Sequence, residues 1–114
     1  MATITREQAL SAKLPTMVVQ AWGGEVVVHK LNHEEKESFN DLAFRADKEM
    51  SEADLQRLLV VRCARDEQGN RIFSDEDMAQ LASVDGEAIY EIAKVASQLN
   101  IYTDKKLEAD VKNS

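Results

Sequence analysis

Two stretches of β-branched and apolar residues near the N-terminus show the clearest strand pattern in the chain. The first runs from Thr16 to Trp22 and the second from Glu25 to Leu31. Between them stand Gly23 and Gly24, a pair that tolerates the positive φ angles of a two-residue hairpin turn. The pattern therefore predicts a β-hairpin with its turn at Gly23-Gly24.

A short helix is predicted before the hairpin. Thr5 and Gln8 have the spacing of a capping box, in which each side chain satisfies a backbone N–H of the other residue. Pro15 ends this helix, because proline cannot continue helical hydrogen bonding. The apolar residues expected along it are Ala9, Leu10, Ala12 and Leu14.

A longer helix is predicted after the hairpin. Asn32 offers an N-cap, with Glu35 three residues further on. The spacing of the next apolar residues is that of one helical face, which predicts a helix from His33 to Lys48. Those residues are Phe39, Leu42, Ala43 and Ala46.

The apolar run from Leu58 to Val61 is compatible with two structures. A short run of this kind fits a buried strand as well as a helix. Ser51 followed by Asp54 gives a helix cap, and good helix formers fill Glu52 to Leu59, so we favour a helix with Leu55, Leu58 and Leu59 buried. The alternative is a second hairpin about Gly69.

The C-terminal half is predicted to be a loop followed by two helices. Asp66 to Asn70 has turn-forming residues. Ser74 is expected to cap a helix over Asp75 to Ala82, with Met78 and Leu81 inward, and Ser83 to cap the last helix, which Asn100 ends. The apolar stripe of that last helix consists of Ile89, Ile92, Ala93, Ala96 and Leu99.

These elements together predict a mainly α fold. We expect a small helical domain with an N-terminal β-hairpin, formed by residues 1–102. Residues 103–114 form a charged tail with little apolar surface, which we expect to be disordered because it cannot offset the entropy of ordering.

Composition narrows the class of protein. The 114 residues are 44% apolar, enough for one modest core, and carry a net charge of −7. That acidity disfavours nucleic acid as a partner, since phosphate binding relies on Lys and Arg. No apolar run is long enough to cross a membrane, and the N-terminus has no secretory pattern, so a cytoplasmic protein is expected. The lone Cys63 is expected to be structural.

Residue patterns for catalysis or metal binding are weak. His29 and His33 are four residues apart but lack the HExxH pattern. The segment around Gly69 would place Ala64 where a calcium loop needs its first acidic ligand. Neither histidine has a nucleophile-elbow serine to pair with, and no glycine-rich phosphate loop occurs. We therefore expect no catalytic residue, no metal and no cofactor.

One segment resembles a known family. The chain reads as an apolar run, then Asp-Glu-x-Gly-x-x-x-Phe, a capped acidic helix ending in Leu, and a last helix closing on Leu-Asn. In this order of elements it is similar to the tail assembly chaperones of long-tailed, siphovirus-like bacteriophages and prophages. The residues that carry the resemblance are Asp66, Glu67, Gly69, Phe73, Ser74, Asp75, Asp77, Leu81, Leu99 and Asn100.

The resemblance implies a function without catalysis. Such a protein binds the tape measure protein, keeps it soluble while tail tube subunits assemble around it, and is absent from the mature virion. Self-association is also implied, and a head-to-tail contact would give a ring or an open spiral. A structural tail component or head-tail connector is the alternative, and a small enzyme or metal-dependent regulator using His29 and His33 is a more distant one.

A chaperone of this kind needs exposed apolar surface. A small domain rarely buries every large side chain, so residues beside the main apolar stripes are the candidate protein contacts. They are Trp22, Phe44, Val60, Val61, Tyr90 and Val95.

Overall fold

A three-stranded antiparallel sheet and the helices packed on it form the fold. The computed structural model describes residues 2–45 and 50–100. Helices predominate over strands, as the sequence predicts, and the N-terminal hairpin is present. The elements are α1 Arg6–Ser11, β1 Thr16–Ala21, β2 Gly24–His29, α2 His33–Ala43, α3 Glu52–Cys63, β3 Ala64–Arg65, a 3₁₀ turn Asp75–Asp77, α4 Met78–Leu81 and α5 Gly86–Leu99.

The hairpin turn lies one residue earlier than predicted. Ala21 pairs with Gly24, so the two turn residues are Trp22 and Gly23. Both have positive φ, 53° and 79° respectively, which is the φ pattern of a type I′ turn. The prediction of a Gly23-Gly24 turn is therefore wrong in register, because the strand pairing places the bulky Trp22 in a left-handed conformation that glycine adopts more easily.

Helix α2 begins as predicted and ends early. The Asn32 side chain accepts a hydrogen bond from the Glu35 N–H at 2.8 Å, and Glu35 accepts one from the Asn32 N–H at 3.0 Å. The helix ends at Ala43 instead of Lys48, with the Phe44 N–H as its last hydrogen-bond donor. Phe39 and Ala43 are buried while Leu42 is exposed, and Ala46 lies outside the described residues.

The run from Leu58 to Val61 is helical. The Ser51 hydroxyl accepts a hydrogen bond from the Asp54 N–H at 3.2 Å, and α3 continues from there to Cys63. Its second half is buried on nearly every side, because α2, α4, α5 and the sheet surround it. This central position explains why the sequence shows a continuous apolar run and not an alternating one.

The alternative hairpin about Gly69 also exists in reduced form, after α3. Strand β3 pairs with β2, and Arg65 forms a bridge with Arg71. The Asp66 carboxylate closes the turn by accepting the N–H groups of Gln68 and Asn70, each at 2.9 Å. The chain therefore contains the predicted helix over Leu58–Val61 and, after it, a short hairpin about Gly69.

The last two helices pack as predicted but start differently. Asp75–Asp77 form a 3₁₀ turn before α4, where the prediction was one continuous helix. Helix α5 is capped by Asp85, whose side chain accepts the Glu87 N–H at 3.1 Å, so the prediction of Ser83 as the cap is wrong. The chain needs residues 82–84 to turn between α4 and α5. The predicted stripe is confirmed, with Ile89, Ile92, Ala93 and Ala96 buried and Leu99 partly buried.

A buried asparagine joins three parts of the fold. Asn100 is 1% exposed and is the C-cap of α5. Its Oδ1 accepts the Leu31 N–H at 2.6 Å, and its Nδ2 donates to the Ala96 carbonyl at 2.9 Å and faces the Cys63 sulfur at 3.7 Å. One side chain therefore connects the end of α5 to the segment after β2 and to the end of α3.

Three arginines hold the loop and 3₁₀ turn against the helices, and a fourth forms an ion pair within α3. Arg62 binds the Asp75 carboxylate through two nitrogens, each at 3.0 Å, and Arg71 binds the same carboxylate at 2.7 Å. Arg65 pairs with Glu35 at 2.8 Å, which links β3 to α2, and Arg57 pairs with Asp54 at 2.8 Å. Arg57, Arg62 and Arg65 are therefore each paired with an acid of their own chain.

These pairs change the pKa values of two carboxyl groups. Burial alone would raise the pKa of Asp75, but hydrogen bonds from Arg71 and Arg62 and their positive charges outweigh it, so the pKa lies below its usual value. Burial would likewise raise the pKa of Glu35. The Asn32 N–H, Arg65 and the positive charge of Arg71 more than offset it, and the pKa is again lowered.

No helix within residues 2–45 and 50–100 is long and apolar enough to span a bilayer. The predicted disordered tail, residues 103–114, lies outside the described residues.

The Asn100→Ala variant tests the connecting role of this side chain. It would leave the buried Leu31 N–H without its acceptor, so we expect a loss of about 1–3 kcal/mol in the free energy of unfolding. Urea unfolding followed by circular dichroism measures it. Asn40→Ala, at a half-exposed position on α2, is the control and should change stability by less than about 0.5 kcal/mol. Equal stability of the two variants would contradict the role of Asn100.

The arginine pairs predict a loss of stability in acid. The pKa values of Asp75 and Glu35 are lower in the folded state, so their stabilising contribution is present above the unfolded-state values near pH 4. This contribution to stability is lost as the pH falls through the lower pKa values that Asp75 and Glu35 have in the folded state.

We expect the double variant Asp75→Asn, Glu35→Gln to show a shallower decline of the unfolding free energy between about pH 5 and 2 than the unmodified chain. Urea titrations at a series of pH values measure the slopes. Asp41→Asn is the control for removal of an exposed acid, and identical slopes for all the proteins would refute the assignment.

Candidate protein-interaction surface

Large apolar side chains are exposed in five places on the described structure. They lie on the N-terminal segment and β1, at the hairpin turn, at the end of α2, in the segment between β3 and the 3₁₀ turn, and from the end of α4 to the first half of α5. A domain of this size buries what it can, so repeated exposure of large apolar side chains marks candidate interaction surface. The residues are Ile4, Leu10, Leu14, Met17, Val18, Trp22, Leu42, Phe44, Ile72, Val84 and Tyr90.

Trp22 is held in place by the hairpin turn. Its ring meets the Phe73 ring edge to face, with the centroids 5.7 Å apart and the planes at 75°. Because the tryptophan is 43% exposed, it presents a fixed indole surface to solvent. Beside it lies an open cavity of about 300 Å³ between the turn and the start of α5, lined in part by Asp85, Glu87 and Glu91.

Tyr90 lies on the solvent side of α5. It is 52% exposed, while Ile89 and Ile92 on the opposite side are buried. A second open cavity, of about 390 Å³, runs along this helix and reaches Gln56 of α3. The exposed strip of α5, which we name the α5 face, consists of Glu87, Tyr90, Glu91, Lys94 and Gln98.

The α5 face combines an aromatic ring with negative charge. Glu87 and Glu91 belong to the stretch from Asp66 to Glu91, which holds eight acids and a single base. Arg71, that base, already binds Asp75. Glu87 and Glu91 therefore place negative charge beside the Trp22 ring, whereas Lys94 adds a positive charge on the other side of Tyr90. The part of the surface near Trp22 favours a partner with apolar and basic side chains.

Phe44 forms a separate exposed position. It is the C-cap of α2 and is 51% exposed, and Leu42, two residues earlier, is 36% exposed. Neither side chain belongs to the buried cluster of the core. Of the predicted contacts, Trp22, Phe44 and Tyr90 are thus accessible to a partner.

The other three predicted contacts are less accessible: two are fully buried and one is partly buried. Val60 and Val61 are both 0% exposed, so the expectation that they contact a partner is corrected. They lie in α3, where packing on several sides leaves no solvent-facing strip in this part of the helix. Val95 is partly buried and packs against the core from α5.

The exposure of the N-terminal segment and of β1 does not follow from the sequence pattern, although both elements are predicted by it. Residues 2–18 are exposed throughout, and α1 buries no side chain, although its Thr5–Gln8 capping box forms as predicted. Met17 and Val18 are exposed because β1 is the edge of the sheet. The lack of charged residues along the strand was a signal in the sequence. The sequence does not, however, show the order of the strands, and so it does not show that this strand lies at the edge of the sheet.

The residues considered for metal or redox chemistry occupy structural positions. His29 ends β2 and His33 begins α2, and burial together with the nearby Arg65 charge lowers the pKa of His29. Among residues 2–45 and 50–100, no group of three or more His, Cys, Asp and Glu side chains is arranged to hold a metal ion. Burial raises the pKa of Cys63 to about 12, which keeps the thiol protonated and unreactive.

Comparisons with known proteins give a likeness of fold. No family model matches the chain, and no curated protein matches it. Among solved structures, the tail assembly chaperone of bacteriophage HK97 superposes with a TM-score of 0.57 at 18% sequence identity. The match covers 82% of this chain and 94% of that one. The resemblance inferred from the sequence is therefore confirmed at the level of the fold: the chain folds like a phage tail assembly chaperone.

Proposed function

We propose that this protein is a tail assembly chaperone of a long-tailed bacteriophage or prophage and acts without catalysis. The observation that carries the proposal is the superposition on the HK97 tail assembly chaperone over 94% of that protein. The sequence pattern from Asp66 to Asn100 independently suggested the same family. The weak case for catalytic residues is consistent with this role.

The partner that we propose is the tape measure protein. A long helical protein exposes apolar stripes before its assembly partners cover them, and a chaperone can shield those stripes with apolar surface of its own. Tyr90 and Trp22 supply rigid aromatic surface on and beside the α5 face, and Phe44 supplies more at the end of α2. Aromatic residues of this kind dominate binding energy at many interfaces.

The acidic charge contributes in two ways. Glu87 and Glu91 beside Tyr90 favour partner segments that carry Lys or Arg, and they disfavour binding of acidic surfaces. The net charge of −7 also opposes non-specific aggregation of the complex.

Several copies are required to cover a long partner. We propose that the protein self-associates, so that a row of copies, as a ring or spiral, holds the tape measure protein while tail tube subunits assemble around it. It would act in the cytoplasm of the bacterial host and be displaced before the virion is complete. Its presence in purified particles would instead support a structural or head-tail connector role.

Co-expression with the tape measure protein of the same phage tests the proposal. We expect the amount of soluble tape measure protein to rise and the two proteins to co-purify. The chaperone role would be overturned if the tape measure protein is neither more soluble nor co-purified and this protein is found in purified particles.

Substitution of Tyr90 tests the α5 face. Tyr90→Ser removes a half-exposed ring, so we expect co-purified tape measure protein to fall about tenfold, equivalent to about 1.4 kcal/mol of binding. Tyr90→Phe retains the ring and is the matched control, expected to bind as the unmodified chain does. Urea unfolding confirms that both variants are folded. Unchanged binding by Tyr90→Ser would exclude this face.

A further inference from the structure

Within residues 2–45 and 50–100, no strand pairs with the outer edge of β1, and the strand lacks the usual features that protect an edge. It is the outer strand of the order β1-β2-β3, and residues 16–21 include no charged residue and no proline. Natural edge strands generally carry a charge, a proline or a bulge that prevents pairing with another chain. The pairing of β1 with β2 is regular from Thr16 to Ala21, so a bulge is also absent from this strand.

The hydrogen-bonding groups on that edge can be identified. The Lys30 N–H donates to the Pro15 carbonyl at 3.1 Å, so residue 15 directs its carbonyl toward β2. In an antiparallel ladder this direction alternates along the strand, so Met17, Val19 and Ala21 also face β2. The N–H and C=O groups of Thr16, Val18 and Gln20 therefore point to the free edge.

The strand also carries exposed apolar side chains. Val18 is 56% exposed in the middle of the strand, and Met17 beside it is 47% exposed. An exposed and uncharged edge of this kind is a template for a further strand.

The distribution of charge along the chain allows a second copy to approach this edge. Two copies of a chain with net charge −7 repel each other over most of their surfaces. From Gln8 to Gly24, however, the single charged residue is Lys13, and β1 lies within this stretch. The acids nearest to β1 lie at its C-terminal end, where Gln20 binds Glu25 and lines a cavity with Glu87 and Glu91. An antiparallel two-fold pair keeps these two acidic ends apart, because each lies opposite the N-terminal end of the partner strand, which follows Lys13.

We propose that two copies of this protein pair through β1 in an antiparallel, two-fold arrangement that joins their sheets into one. A register centred on Val18 places Val18 opposite Val18 and Thr16 opposite Gln20. Each free N–H and C=O of those three residues then meets a partner in the other copy. A register centred on Val19 would place Thr16 opposite the turn residue Trp22 and leave its groups unpaired.

This interface adds to the proposed function and does not depend on it. A closed pair of this symmetry uses the same surface in both copies, so a ring or spiral would have to grow through other surfaces. The pair would leave Tyr90 available, because Tyr90 lines the cavity that reaches Gln56 of α3 and not the cavity beside β1. Loss of the pair and loss of tape measure binding can therefore be observed separately.

Cysteine crosslinking tests the register. In the Val18-centred pair the two Val18 Cα atoms are about 5.5 Å apart, within the range of a disulfide. We expect Val18→Cys to form a covalent dimer under mild oxidation. The native Cys63 is buried with a raised pKa and serves as a silent background.

A matched pair of variants excludes chance collisions. Thr16→Cys alone should not crosslink, because its copies would be roughly 14 Å apart along the strand, and the same holds for Gln20→Cys. A mixture of the two should give the crosslinked heterodimer, since Thr16 faces Gln20 in the proposed register. Equal crosslinking of all the variants, or none for Val18→Cys, would overturn the register.

Sedimentation equilibrium tests the pairing itself. We expect a monomer-dimer equilibrium that Val18→Lys weakens at least tenfold, because two lysines would face each other at the two-fold axis. Val84→Lys, at another exposed valine, should have no effect on it. Salt should tighten the pair, since it screens the repulsion between acidic copies.

Three results would overturn the proposal. The first is a strict monomer at every accessible concentration. The second is a dimer unaffected by Val18→Lys in a folded variant. The third is a monomer whose tape measure binding is lost on Val18→Lys, which would assign the edge to a strand of that partner instead.

Discussion

The fold depends on a buried hydrogen-bond junction at Asn100. Its amide satisfies the Leu31 N–H and the Ala96 carbonyl and lies against Cys63, so it fixes where α5 ends relative to the sheet and to α3. Apolar packing alone would tolerate sliding of α5, because apolar contact is non-directional. A buried amide does not tolerate it, since each unmade bond would leave a desolvated polar group.

Once α5 is fixed in this way, its two sides acquire different roles. The side with Ile92 and Ala96 completes the core, and the side with Tyr90 and Glu91 faces solvent. The arginines likewise divide the acids of the segment from Asp66 to Glu91 into two groups. Asp75 is paired with Arg62 and Arg71 within the fold, whereas the acids near Trp22 and Tyr90 remain as surface charge. The candidate interaction surface therefore consists of the aromatic rings that are not buried in the core and the acids that are not paired with these arginines.

Local sequence signals predicted the elements that depend on neighbouring residues. The capping boxes at Thr5 and Asn32 formed as expected, because cap and helix are separated by only three residues. The errors arose where distant parts of the chain compete. Pairing with β2 set the hairpin turn at Trp22, and the space between α4 and α5 moved the cap from Ser83 to Asp85. The burial of Val60 and Val61 likewise depends on elements far away in the chain.

The sequence by itself determined the helical character, the hairpin, the acidic charge and the resemblance to tail assembly chaperones. These follow from periodicity, caps and composition, which are local properties of the chain. Only the tertiary structure decided that Asn100 is buried, that Val60 and Val61 are enclosed on all sides and that β1 is an edge strand. Burial and strand order depend on contacts between residues far apart in the sequence, so no local pattern specifies them.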